Sequence, residues 1–272
     1  MNHFAAQFVG RLRKTRNFAG FLARGVDIIC STTALAVALM LALVAGTTTP
    51  SSAVVEPVAP GPSAPPSGQS SNLSVVAQAR GSSVAVFATP SSPKAYEMLP
   101  SPTASGDPLV FLVSGSALGS AWLHVYLPSR PNQSQGWIRS SAVALSADGF
   151  LIDVNLSSHL MTVVSDGHVK MSIHIGEGRA ALPTPTGTYY IVDLLKQPNP
   201  DGEYGPYAFG LSAFSEVLQS FAGGPGEIGI HGTDDPDSIG ASISHGCIRV
   251  PNVTIVTLAK LLPLGTPVLI HG

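Results

Sequence analysis

Two short stretches carry the residue types of nucleophilic catalysis: Ile230-His231-Gly232, and Ser244-His245-Gly246-Cys247-Ile248-Arg249. Cys247 is the only cysteine beyond the N-terminal region, and two histidines accompany it. A thiol with an ordinary pKa of about 8.5 is mostly protonated at neutral pH, so a neighbouring imidazole is the usual means of activating it. His231 and His245 are both candidate bases; His245, two residues before Cys247, would share its face if this stretch were a strand. Gly232 and Gly246 permit tight turns and close approach of backbone amides to a reacting atom. A different chemistry uses the same side chains, with His231, His245 and Cys247 as zinc ligands and water as nucleophile. No His-Glu-x-x-His pattern supports it. Ser244 reads as a hydrogen-bonding residue that shapes the turn. Arg249 stays protonated, which suits it to a substrate carboxylate or a loop brace and excludes proton transfer. Between the two stretches, Asp234-Asp235-Pro236-Asp237 reads as a solvated acidic turn, with attraction of an amine as the alternative; EF-hand spacing for calcium is absent. His159, His168 and His174 belong to no motif.

The elements that must position these residues are constrained by length and charge. A chain of 272 residues, 44% hydrophobic and 11% charged, can bury one or two cores. Arg11, Arg13, Lys14, Arg16 and Arg24 precede any acid, and the net charge of −2 therefore leaves −7 on the rest, which argues against a nucleic-acid partner. From Ile28 to Gly46 no residue is charged, a run long enough to span a bilayer. It exceeds the roughly 7–15 apolar residues of a cleaved signal, so a retained transmembrane signal anchor is favoured, with Val44-Ala45-Gly46 as the cleavage alternative. The basic flank over 1–27 would place the N-terminus in the cytoplasm and the body outside the membrane, in the bacterial cell envelope. Cys30 falls inside the span, leaving Cys247 as a free thiol in an exported body, which invites a catalytic explanation. Residues 47–72 are rich in Pro, Ser and Ala and read as an extended linker.

Beyond the linker the patterns are mainly β. Over 73–146, Val84-Ala85-Val86-Phe87, Leu109-Val110-Phe111-Leu112-Val113 and the alternating Trp122-Leu123-His124-Val125-Tyr126-Leu127 predict short strands. The ending Gln135-Gly136-Trp137-Ile138-Arg139-Ser140-Ser141-Ala142-Val143 resembles the closing strand and turn of bacterial SH3-like wall-associated domains. Trp122, Tyr126 and Trp137 would be barrel core or a ligand groove. Over 149–272, a hairpin is predicted from Phe150–Leu156 and Leu160–Val164 through the Asp166-Gly167 turn to Val169–Ile175. Further strands are expected at Thr188–Val192 and Pro267–Ile270. One helix is expected over Asn252–Leu262, with Asn252 as its cap and Pro263 as its stop.

At these residues the chain resembles the L,D-transpeptidases with a YkuD-type catalytic domain, which crosslink bacterial peptidoglycan. The resemblance covers 149–272. It rests on His231-Gly232, on His245 fourteen positions later within Ser-His-Gly-Cys-x-Arg, on Leu182-Pro183-Thr184-Pro185-Thr186-Gly187-Thr188-Tyr189, and on Phe209-Gly210-Leu211. It implies a β-sandwich-like domain with a short helix and no cofactor or metal. It also implies Cys247 as nucleophile, His231 as base oriented by a main-chain carbonyl, and an oxyanion hole of amides around His245, Gly246 and Cys247. The implied partners are peptidoglycan stem peptides, a tetrapeptide donor and a diamino-acid amine acceptor, joined 3→3 through a thioester. Carbapenem-type inhibitors are expected. Tyr190, Tyr207, Phe209, Ser244 and Arg249 are the expected substrate-binding residues, with core packing as the alternative for the three aromatic ones. Water as acceptor would make an L,D-carboxypeptidase, and loss of activity would leave a wall-binding protein.

Overall fold

In the first lobe, short strands with one buried face alternate with turns, as the spacing of apolar residues predicts. The computed structural model describes residues 73–115, 119–221 and 223–272. The basic segment, the apolar span with Cys30, and the linker lie outside the described residues, among which no helix is long and apolar enough to cross a membrane. Seven strands occupy the first lobe: β1 (Ser74–Ala79), β2 (Ser83–Val86), β3 (Glu97–Pro100), β4 (Val110–Leu112), β5 (Trp122–Tyr126), β6 (Gln135–Arg139) and β7 (Val143–Asp148). β4, β1 and β7 make one antiparallel sheet, while β2–β3 and β5–β6 are antiparallel ribbons. Single bridges, Val113 to Val125 and Phe87 to Trp137, link these pieces around a core that includes Ala77, Val84, Phe111, Val125 and Ile138.

Trp122, Tyr126 and Trp137 form neither the core of this lobe nor one shared groove. Alternation along β5 buries Leu123 and Val125 and turns Trp122 and His124 outward. Trp122 meets Phe87 edge-on at 5.0 Å and Trp137 packs on His124 at 4.7 Å. Tyr126 lies elsewhere, against the junction with the second lobe.

The second lobe contains β8 (Phe150–Asn155), β9 (Leu160–Ser165), β10 (His168–His174), β11 (Glu177–Gly178), β12 (Gly187–Lys196), β13 (Tyr207–Phe214), β14 (Glu227–His231), β15 (Ser242–Ser244), β16 (Ile248–Arg249), helix α1 (Asn252–Leu261) and β17 (Pro267–His271). Eight strands form one curled sheet in the order β10-β9-β8-β17-β12-β13-β14-β16. Only β17 with β8 and β14 with β16 run parallel in it. The Asp166-Gly167 hairpin forms as read, both residues taking the positive φ that a tight primed turn demands, 52° and 78°. Ile152, Met161, Tyr189, Phe209 and Ile230 fill the inside of the curl, and α1 closes it with Ile255 and Leu258.

The cap of α1 differs from expectation. Pro251 is the N-cap and Asn252 the first helical residue. The Asn252 side chain is diverted, its Oδ1 accepting the Thr233 N–H at 2.8 Å, so it ties the helix to the chain leaving β14.

The apolar run Tyr189-Tyr190-Ile191-Val192 reflects burial on both faces of β12. Tyr189 and Ile191 enter the main core, while Tyr190 and Val192 pack against Val76, Val110 and Leu112 of the first lobe. The two lobes thus share a buried seam. Asp148, where they join, accepts a hydrogen bond from Thr266 Oγ1 at 2.7 Å and one from the Phe150 N–H at 2.8 Å, and both side chains are buried. Removing a hydroxyl that satisfies a buried carboxylate costs about 2 kcal/mol. Thr266→Val is therefore expected to lower the melting temperature by about 4–8 °C, measured calorimetrically at neutral pH.

Candidate active site

The parallel pairing of β14 with β16 sets the geometry of the site. Ile230 pairs with Ile248 and His231 with Arg249. Both isoleucines are fully buried in the core, so strand alternation turns Gly229, His231, Cys247 and Arg249 to the opposite face. The Gly229 N–H points at the Cys247 sulfur, with N to Sγ 3.4 Å. β16 has a partner on its other side as well: Gly176 and Arg249 exchange backbone hydrogen bonds of 2.9 and 2.8 Å.

The turn ahead of Cys247 is held by side chains that stand in for missing strand partners. Ser244 Oγ accepts from the Gly246 N–H at 3.0 Å and donates to the Cys247 carbonyl at 2.7 Å, the turn-shaping role its position suggested. Gly246 has φ of 119°, open to glycine and strained for other residues. Its carbonyl accepts from Thr184 Oγ1 at 2.9 Å, and the Thr184 hydroxyl oxygen in turn accepts from the Gly178 N–H at 2.9 Å. The Thr-Pro segment therefore fastens the turn before Cys247 to β11. Gly232 is glycine for a different reason. A β-carbon there would collide with Asn252, with the Gly205 α-carbon 3.0 Å away and with the Ile255 side chain at 3.2 Å.

His231 is buried, and its Nδ1 lies 2.5 Å from the Gly232 carbonyl. A carbonyl only accepts, so Nδ1 carries the proton and Nε2 holds the lone pair in the neutral ring. Burial pulls its pKa down to about 4, the Gly232 carbonyl opposing and the Arg249 charge assisting. Tyr204 packs on the ring at 4.8 Å. Cys247 is half-buried. Desolvation of its sulfur pushes the thiol up; the Gly229 N–H and Arg249 oppose this, while Glu203 and Glu227 reinforce it. At neutral pH the two groups are a thiol and a neutral imidazole.

His245 takes another part. It and Gly246 form a bend rather than a strand, so its spacing from Cys247 does not place it on the same face. Its exposed ring stacks on Phe221 at 5.1 Å, and Arg179 Nη1 donates to its Nε2 at 3.3 Å. The zinc arrangement needs His231, His245 and Cys247 to converge, and among the described residues no three His, Cys, Asp or Glu side chains are grouped to hold a metal. Arg249 pairs with Asp235 at 3.6 Å, bracing the exposed acidic turn. His159 is satisfied structurally, meeting Ser242 Oγ at 3.0 Å and Glu177 at 3.5 Å.

Two expected substrate residues are corrected. Tyr190 is fully buried in the seam, its hydroxyl donating to the Tyr126 carbonyl at 3.3 Å, and Phe209 is fully buried in the main core. Both are expected to line the donor groove, with core packing as the alternative, and each side chain enters a core. Tyr207 is half-buried and packs on the main core.

Glu227 was missed, although counting back from His231 in steps of two would have found it. It shares the face of Gly229 and His231, and its Oε2 is buried without a hydrogen-bond partner. Burial, with Asp193 adding, raises its pKa to about 8.

Residues 149–270 match the L,D-transpeptidase catalytic domain family, YkuD. A Bacillus subtilis protein named as a candidate L,D-transpeptidase, YkuD, is 36% identical over 120 residues, which are 44% of this chain and 65% of the relative. Another from Bacillus subtilis, YqjB, is 31% identical over 137 residues, 46% of this chain and 73% of the relative. The chain thus spans just under two thirds of the first relative and somewhat more of the second. Among solved structures, L,D-transpeptidase 3 from Mycobacterium tuberculosis, with a faropenem-derived adduct, is 13% identical with a TM-score of 0.41, covering 60% of this chain and 91% of that one. The chain belongs to the L,D-transpeptidase family with a YkuD-type catalytic domain.

Two measurements follow from the charge states. With a raised thiol and a neutral imidazole, alkylation of Cys247 by iodoacetamide should climb steadily with pH into the alkaline range. A rate plateau at about pH 5–7 would instead reveal a preformed thiolate–imidazolium pair. For Glu227 the folded pKa lies above the unfolded one. Its stabilising protonation is complete below pH 4.5 and is lost as pH rises to about 8. Glu227→Gln should therefore melt above the wild type at pH 9, and the two melting temperatures should converge as the pH falls towards 4.5.

Proposed function

We propose that this protein is a peptidoglycan L,D-transpeptidase that forms 3→3 crosslinks between stem peptides through a thioester on Cys247. The observation that carries the reading is the shared face of Cys247 and His231, with the His231 tautomer fixed by the Gly232 carbonyl so that Nε2 is the basic atom. In the acylation step, His231 Nε2 takes the thiol proton as Sγ attacks the carbonyl of the third, diamino-acid residue of a tetrapeptide stem. The carbon–sulfur bond forms, the bond to the terminal D-alanine breaks, and the imidazolium returns its proton to the departing amine. A side-chain amine of a second stem then attacks the thioester and loses a proton to His231. The carbon–nitrogen bond forms, the carbon–sulfur bond breaks, and the imidazolium returns the proton to the departing thiolate.

The uncharged resting pair suits this sequence, because the proton moves only as the carbon–sulfur bond forms. Since the Gly246 N–H is engaged by Ser244, we assign the developing oxyanion to the backbone N–H of Cys247, a contribution of about 3 kcal/mol per donor. Arg249 supplies positive charge behind the thiol and orders the acidic turn through Asp235. The first lobe is read as SH3-like, and the N-terminal span as a membrane anchor that holds both lobes outside the cytoplasmic membrane. β-Lactams, carbapenems above all, are expected to acylate Cys247.

Incubation of the full-length protein with disaccharide tetrapeptide, followed by mass spectrometry, tests the reading. Dimers lacking one D-alanine, absent with Cys247→Ala, are the expected product. Tripeptide monomers alone would assign the water-accepting carboxypeptidase reaction, and unchanged substrate with a folded protein would leave a wall-binding role.

A further inference from the structure

The first lobe reaches the active site through its loop between β5 and β6. Arg130 in that loop places its guanidinium against three carbonyls of the segment joining β13 to β14: Nη1 donates to Ser215 O at 2.9 Å, and Nη2 to Leu218 O and Pro225 O, each at 2.9 Å. The same guanidinium lies 5.1 Å from the centre of the Phe214 ring. Two residues on, Asn132 grips the Phe214 backbone twice, Nδ2 donating to its carbonyl and Oδ1 accepting its N–H, both at 2.8 Å. An amide side chain here takes the place of a neighbouring strand. Within the segment, Ser215 N–H donates to Gly226 O at 2.8 Å, and Phe221 and Gly224 exchange backbone hydrogen bonds of 3.0 and 2.9 Å. Arg130 therefore spans both ends of the segment that presents Phe221, and Phe221 is the ring stacked on His245, two residues from Cys247.

We infer that Arg130 is a positioning residue of the transpeptidation site, setting the Phe221–His245 stack beside the nucleophile; the inference rests on the transpeptidase reading above. The first lobe is on this account part of the catalytic unit. Arginine suits the task because its rigid fork can meet several carbonyls at once, whereas a lysine ammonium is a point charge on a flexible stem. The carbonyls it satisfies lie away from regular strand pairing, so losing the fork frees both ends of the segment together.

The test uses the full-length protein and two readouts. The first is the proton NMR signal of the His245 ring carbons, which a stacked Phe221 shifts upfield; Phe221→Ala gives the unstacked reference. Arg130→Ala and Arg130→Lys are both expected to move the signal to that reference, and retention of the wild-type position in either folded variant would overturn the inference. The second is kcat/KM for crosslinking. Arg130→Ala and Phe221→Ala should each lose about tenfold, and the double variant no more than either. Independent losses that multiply to about a hundredfold would show that Arg130 does not act through Phe221. Iodoacetamide alkylation of Cys247 should stay within about twofold of the wild type, since the small reagent needs no substrate positioning. Should the wild type form no crosslinks, the functional reading fails, and the His245 signal decides the positioning claim by itself.

Discussion

The parallel contact of β14 with β16 is the constraint from which the site follows. A strand only two residues long cannot hold its own register, yet a slip of one residue would exchange Cys247 and Arg249 for the buried Ile248. Three devices prevent it. Ile248 is locked into the core beside Ile230, Gly176 pairs with Arg249 along the far edge, and the Ser244 and Thr184 hydroxyls fix the turn that leads into Cys247. The signature motif is thus as much a register clamp as a set of candidate reacting groups. Its serine and glycine shape the chain, and the upstream threonine fastens it.

The same enclosure that fixes the register shapes the electrostatics. Burial works against charge on His231, Cys247 and Glu227 alike, pushing each toward its neutral form. Arg249 is the counterweight, a permanent cation on the shared face whose field favours a thiolate and disfavours an imidazolium. Among the described residues, the partner of His231 Nδ1 is the Gly232 carbonyl. A backbone carbonyl selects its tautomer, and a carbonyl orients the ring without supplying the negative charge that would hold the ring protonated.

Much of the second lobe was legible in the sequence, because its hairpin, its last strand and its helix each carry an unambiguous local pattern. The tight turn at Asp166-Gly167 and the stop at Pro263 are signals within a few residues. The candidate site was legible for the same reason, as histidine, cysteine and their glycines are chemically unlike their surroundings. Pairings distant in sequence were not legible. Tyr190 and Phe209 look alike as strand aromatics near a site, and only the seam between lobes and the curl of the sheet decide that both are interior. Asn252 has the composition of a helix cap, but a competing acceptor role for Thr233 claimed it. The hold of Arg130 on Ser215, Leu218 and Pro225 spans more than eighty residues, and a guanidinium meeting main-chain carbonyls leaves no trace in side-chain types.

The protonated state of Cys247 has a consequence for chemical durability. Peroxides and disulfides attack through the thiolate, so a thiol whose ionisation is suppressed reacts with them slowly. A permanently ionised sulfur would be exposed to irreversible oxidation between turnovers. In this site the sulfur and a neutral imidazole lie on the same face of the β14–β16 pair. On the transpeptidase reading proposed above, its shelf life and its reactivity are thereby separated, the first set by the resting pair and the second released when an acyl donor docks.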